Sequence, residues 1–128
     1  MKELVGYRIN KSKETLKDAK LLFDKGSLFS SVNRLYYSTF YAVTAILLDK
    51  GISSPKHSGT MSLFNFNFIK TGIILKEYGR FYSLLFEFRQ KGDYIDFVEF
   101  ERPKVRAWLK QAAKFIKVIE AVIGKKDI

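Results

Sequence analysis

The sequence predicts an all-α fold, an up-and-down antiparallel bundle of four long helices plus one short helix. Three observations point there. Apolar residues recur at three- and four-residue steps, Gly26, Gly51, Gly72, Gly92, Pro55 and Pro103 cut the chain into helix-sized lengths, and the one alternating segment has no partner strand.

In residues 2–25, Val5, Ile9, Ser12, Leu16, Ala19 and Phe23 form one stripe, with Lys13, Lys17 and Lys20 off it. Gly26 ends this helix and Ser27 is placed to cap the next. Residues 28–50, "LFSSVNRLYYSTFYAVTAILLDK", are apolar almost all round, as suits a helix in the middle of a bundle. "GISSPKHSGT" reads as a loop with Ser58 or Thr60 as a cap, followed by a short helix "MSLFNFNFIKTG" that ends at Gly72. "LKEYGRFYSLLFEFRQKG" is the next long helix, with Phe81, Leu84, Leu85 and Phe88 inward and Gly92 as its stop. "DYIDFVEFER" alternates like a strand, but a lone strand is unstable, so an extended connection with a helical turn is expected. Val105, Leu109, Ala112, Ile116, Ile119 and Ile123 then form a heptad-like seam, with Pro103 in the first turn.

The 128 residues are expected to make a single domain over 1–128, burying about two-thirds of the surface of the unfolded chain. With 47% hydrophobic and 28% charged residues the chain is globular. It contains no cysteine, which excludes a disulfide scaffold, a thiolate metal site and a cysteine nucleophile. No apolar run approaches the roughly 18 residues a membrane span requires, and the N-terminal segment is too charged for a signal peptide. A soluble, cytoplasmic location away from membranes is expected. The net charge of +10 favours a polyanionic partner such as nucleic acid or an acidic protein. Lysine outnumbers arginine 17 to 6, however, so much of the charge serves as solvated surface.

The single histidine, His57, cannot build a multi-histidine zinc site, and neither HExxH nor a phosphate-cradling glycine loop is present. No metal and no cofactor is expected. Three features retain chemical interest. Asn33, Tyr37 and Tyr41 in "NRLYYSTFY" step by four along one face, either as aromatic packing or as a polar lining opposite Arg89. His57 in "SPKHSG" either caps a turn or titrates near neutral pH in a site. Arg89 in "RQKGDY" either meets the last carbonyls of its helix or holds a phosphate.

Taken together, "RLYYSTFYAVTAILLDKG", "PKHSG", "FIKTG" and "FEFRQKGDYIDF", in this order, resemble the HEPN superfamily, specifically its small single-domain prokaryotic branch. The resemblance runs over roughly residues 7–120. It implies an all-helical bundle, commonly a homodimer, encoded beside a minimal nucleotidyltransferase as a toxin–antitoxin pair. Many members are metal-independent endoribonucleases with an arginine, four to six arbitrary residues, then a histidine. Arg89 matches the arginine, which would hold the scissile phosphate and offset transition-state charge.

The histidine does not match. Tyr94 stands five places after Arg89, and no histidine follows. Metal-free RNA cleavage needs a group to take the 2′-hydroxyl proton and another to protonate the leaving oxygen. Histidine, titrating near pH 6.5, does both; a tyrosine of pKa near 10 is ionised only about once in a thousand at neutral pH, and an ordinary aspartate such as Asp93 is a weak base. The expected site is therefore Arg89, Asp93 and Tyr94, with Asn33, Tyr37 and His57 on the substrate side. His57 compensates for the missing histidine only where folding or dimerisation brings it to Arg89.

Three readings follow. In the first the chain is a toxin-like subunit that binds RNA or nucleotide phosphate at the Arg89–Tyr94 corner and pairs with a nucleotidyltransferase; in the second it is an active endoribonuclease; in the third a dimeric helical protein without a used site. Partner nucleotidyltransferases of the superfamily can adenylylate a tyrosine near the motif, which makes Tyr94 an acceptor candidate. Arg106, Lys110, Lys114 and Lys117 follow helical spacing off the apolar seam and form a candidate nucleic-acid stripe. The resemblance implies a two-fold homodimer with both 89–94 corners in one cleft, and the surplus aromatic residues near Arg89 are compatible with such an interface.

Overall fold

The computed structural model of the protein describes residues 2–94, the last three of them for backbone alone, and residues 98–125. Its elements are α1 (Lys2–Asp24), α2 (Leu28–Asp49), α3 (His57–Phe64) continued by a π-helical turn (Asn65–Ile69), α4 (Lys76–Tyr94) and α5 (Arg102–Lys125). No strand occurs among the described residues. The fold is the all-α bundle that the periodicity predicts.

α2 is the central element and touches α1, α3, α4 and α5. α1 runs antiparallel to it along a seam of small side chains, where Ser31 Oγ donates to Ala19 O at 2.8 Å and Ser12 Oγ donates to Ser38 O. These four residues are fully buried, and their size lets the two backbones approach while the hydroxyls find partners. Tyr82, Phe81 and Tyr78 of α4 close on Phe115 of α5, and Phe88 meets Trp108, so α4 and α5 are antiparallel as well. Val105, Ala112, Ile116 and Ile119 of the anticipated α5 seam are buried, joined by Trp108 and Phe115.

The chain reverses after α1 and after α2 through the same device. Gly26 (φ 83°) and Gly51 (φ 76°) take the left-handed conformation, and the amides of Ser27 and Ile52 reach back to the Leu22 and Leu47 carbonyls at 2.8 and 3.0 Å. This is the Schellman arrangement, for which glycine is the least strained residue. Ser27 does stand at the start of α2, although its side chain makes no capping bond.

Two expectations are corrected. "GISSPKHSGT" is not a loop throughout: α3 begins at His57, with Lys56 at the capping position and no side-chain cap from Ser58 or Thr60. Ser54 orders this turn instead, accepting the Lys56 amide at 3.3 Å. Nor does α4 stop at Gly92; it continues to Tyr94. Glycine costs a helix interior only about 1 kcal/mol relative to alanine, so it permits a stop without compelling one. Asp93 and Tyr94, expected in the connection, are thus helical in backbone, residues 95–97 lie outside the described residues, and 98–100 have no regular structure.

Candidate functional site

The packing of α2 against α3 and α4 brings three distant parts of the sequence to one place. Tyr36 and Tyr37 sit midway along α2, His57 opens α3, and Arg89 lies near the end of α4. The Arg89 guanidinium carbon is 5.4 Å from the centre of the Tyr36 ring and 5.5 Å from that of Tyr37. The His57 imidazole meets the same pair, 5.7 Å from Tyr36 and 5.9 Å from Tyr37, and stacks on Phe40 at 4.3 Å with the planes 9° apart. The Tyr36 hydroxyl is 2.7 Å from His57 Nδ1. Cations favour the faces of aromatic rings, so the tyrosine pair is a natural platform for Arg89.

Electrostatics follow from this packing. Burial, and secondly the positive charge of Arg89, push the His57 imidazole below its ordinary value, which favours its neutral form. Burial pushes the Tyr36 phenol up to about 12, against smaller downward pulls from Tyr82 and Arg89. Tyr82 is raised well above the usual tyrosine value, first by burial and then by Tyr36. These two hydroxyls interact, although no hydrogen bond of standard geometry satisfies the Tyr82 oxygen.

Both phenols therefore carry their protons at neutral pH, and the Tyr36–His57 bond has two forms. Either Tyr36 O–H donates to Nδ1 and Nε2–H is a donor, or Nδ1–H donates to the Tyr36 oxygen and Nε2 keeps a lone pair. The first form suits anion binding; the second suits proton abstraction.

The sequence-predicted residues divide. Arg89, Tyr37 and His57 come together. Asn33 does not join them: its side-chain oxygen accepts two bonds from Arg34, from Nε at 3.2 Å and from a terminal nitrogen at 2.8 Å. Tyr41 lies 6.1 Å from Tyr37, centre to centre, but takes the Lys11 ammonium over its ring at 4.7 Å. The side chains of Asp93 and Tyr94 lie outside the described residues. Among the described residues no group of three or more histidine, cysteine or acidic side chains is placed to hold a metal ion.

Four residues escape a reading of the sequence by charge and spacing. Tyr36 bridges the histidine and the arginine, Phe40 carries the imidazole, Tyr82 lies beneath Tyr36, and Arg34 brings a second guanidinium to Tyr37 at 4.9 Å. The four-residue step from Tyr36 to Phe40 is the available signal for the first two. Arg34 thus adds a second positive charge at the Tyr37 ring, although its Nε and one terminal nitrogen are already given to Asn33.

Comparison with known proteins agrees with this architecture. The HEPN domain family matches residues 5–122. A "UPF0332 protein" of Thermotoga maritima is 46% identical over 121 residues, covering 94% of this chain and 92% of that protein. Two proteins of Methanocaldococcus jannaschii, each named "Putative toxin", are 30% and 33% identical, covering 94% and 73% of this chain and 82% and 70% of their own lengths. With a family match across nearly all of the bundle and its central site, the chain belongs to the HEPN domain family.

Proposed function

We propose that this protein is a toxin-like HEPN subunit that binds the phosphate of RNA or of a nucleotide at the part-exposed corner formed by Arg89, His57 and Tyr37 over the buried Tyr36, with Arg89 as the principal anion-holding side chain. The observation that carries this is the convergence of Arg89 and His57 on one tyrosine pair. Arg34 at the Tyr37 ring adds to the positive field, and the toxin naming of the two Methanocaldococcus relatives supports the class. The natural assembly in this reading is a homodimer with the two 89–94 corners facing one cleft, paired with a minimal nucleotidyltransferase that has Tyr94 as its adenylylation target.

A second reading, metal-independent endoribonuclease, is favoured by the position of His57. The motif histidine is missing after Arg89, yet an imidazole with a lowered pKa stands beside that arginine, supplied by α3. In this reading His57 accepts the 2′-hydroxyl proton, O2′ bonds to phosphorus, and the P–O5′ bond breaks with a proton delivered to O5′ by the imidazolium or by water. Arg89 stabilises the charge that builds on the phosphorane oxygens.

Incubating structured RNA with the purified protein in EDTA separates the two. Binding without cleavage, weakened in Arg89→Ala, supports the first. Cleavage that is lost in both Arg89→Ala and His57→Ala supports the second. A folded protein that neither binds nor cleaves RNA, and does not bind nucleotides, contradicts both.

A further inference from the structure

α1 and α5 border a groove of about 720 Å³. Its floor is Leu16 and Phe23 from α1 and Leu109, Ala113 and Ile116 from α5. Along one rim stand Lys13, Lys17 and Lys20, and along the other Arg106, Lys110 and Lys117, all exposed. The acids of the lining are Asp24 and Glu120, at opposite ends, and Glu120 is already engaged by Lys13 at 2.8 Å. Arg102 and Arg106 close the other end over Phe23, with their guanidinium carbons 4.2 and 5.5 Å from its ring centre. The anticipated nucleic-acid stripe is thereby divided. Arg106, Lys110 and Lys117 face three lysines of α1 across an apolar trough, while Lys114 turns away toward Glu77 and Gln111.

We infer that this groove is the docking site for an acidic amphipathic helix of a partner protein. Lys13 to Asp24 spans about three helical turns, roughly 16 Å at 1.5 Å per residue, so the trough has the length of a short helix. Two antiparallel helices present a furrow into which a third packs its apolar side chains. The cations lie in two rows flanking that furrow, where acidic residues on both shoulders of such a helix would meet them, as flanking charges do in coiled coils.

The alternatives fit less well. A nucleic-acid backbone fits poorly over a floor of leucine, isoleucine and phenylalanine side chains, against which its phosphates would lose water without gaining a partner. A second copy of this face would set two such cation rows against each other. A flat bilayer does not enter a furrow between helices. The inference is independent of the phosphate platform and extends beyond it.

Fluorescence anisotropy with three labelled 21-residue peptides tests this on the full-length protein. One peptide has leucine and isoleucine at heptad a and d positions with glutamate at e and g, one has lysine at e and g, and one scrambles the first. The glutamate peptide should bind at least tenfold more tightly than the other two, more weakly as salt rises. The surface variant Lys17→Glu/Lys110→Glu/Lys117→Glu, with an unchanged circular-dichroism spectrum, should lose that peptide and gain the lysine peptide. Ala113→Gln, in the floor of the groove, should weaken the glutamate peptide. Equal binding of the scrambled peptide, failure of charge reversal to exchange the preference, or stronger competition by single-stranded RNA or anionic vesicles than by the unlabelled peptide would each overturn the inference.

Discussion

The Tyr36 hydroxyl lies 2.7 Å from Nδ1 of His57, joining the middle of α2 to the first residue of α3. Through the rings of Tyr36 and Tyr37 the same contact reaches Arg89 of α4, so a histidine remote in sequence belongs to the arginine's surroundings. Measurements on this one imidazole are unusually clean, because the chain has a single histidine.

The first prediction concerns its titration. Burial and the Arg89 charge both lower the His57 pKa, so Arg89→Gln should raise it toward the ordinary 6.5, followed by NMR of the ring carbons. An unchanged or lower value in the variant would count against the coupling. Since the folded pKa is below the unfolded one, the unfolded chain takes up the proton first. The contribution of His57 to stability is therefore complete above about pH 6.5 and declines as pH falls from there through the folded pKa. Denaturant midpoints of wild type between pH 7 and 5 should fall more than those of Arg89→Gln over the same range.

The second concerns the turn that presents His57. A Cβ added at Gly59 would collide with the side chain of Ser54, whose Oγ holds the Lys56 amide. Gly59→Ala should displace the start of α3 and shift the His57 resonances. Gly124→Ala, at a position where an added Cβ meets nothing within 4 Å, should leave them unmoved. Equal spectra for the two variants would show that the turn tolerates the methyl group.

The third tests the core beneath the site. Phe115 is 1% exposed and its ring meets Phe64, Tyr78, Phe81 and Tyr82, tying α5 to both α3 and α4. Phe115→Ala should cost about 3–5 kcal/mol by urea unfolding. Phe66→Ala, at a position 64% exposed, should cost less than about 1 kcal/mol. A loss at Phe115 of the same size as at Phe66 would mean that the aromatic cluster adds little.

The fourth concerns the close approach of α1 and α2. Ala19 is fully buried and its carbonyl accepts the Ser31 hydroxyl. Ala19→Leu should destabilise the protein by about 1–3 kcal/mol through overpacking, read as a lower denaturation midpoint. A neutral effect would indicate room between the helices that the packing does not show.

The helices are legible in the sequence wherever one apolar face repeats against a charged one, as in α1 and α5. Boundaries are less so: a glycine signals a stop only where the following chain demands a left-handed residue, as at Gly26 and Gly51 but not at Gly92. Arg89 stands out through its match to the arginine of the family motif, since by spacing alone a cation in the last turn of a helix suits the helix carbonyls equally well. His57 is visible as a candidate, yet its place beside Arg89 depends on three helices packing at long range, which spacing along the chain does not encode. Tyr36 is hidden for a related reason: its spacing suits core packing, and its polar role depends on which side chain arrives above it. Asn33 misleads because Arg34, its immediate neighbour, satisfies it before anything across the bundle does.

The central claim is that Arg89 and His57 act on one phosphate. The most direct test follows the His57 ring resonances by NMR while wild type and Arg89→Ala are titrated with a short RNA oligonucleotide and with 5′-AMP. The account predicts a saturable shift and a raised His57 pKa in the wild type, since a bound phosphate favours the imidazolium, and loss of both effects in Arg89→Ala. RNA and nucleotide that bind by anisotropy while His57 stays unmoved, or that shift it equally in Arg89→Ala, would contradict it.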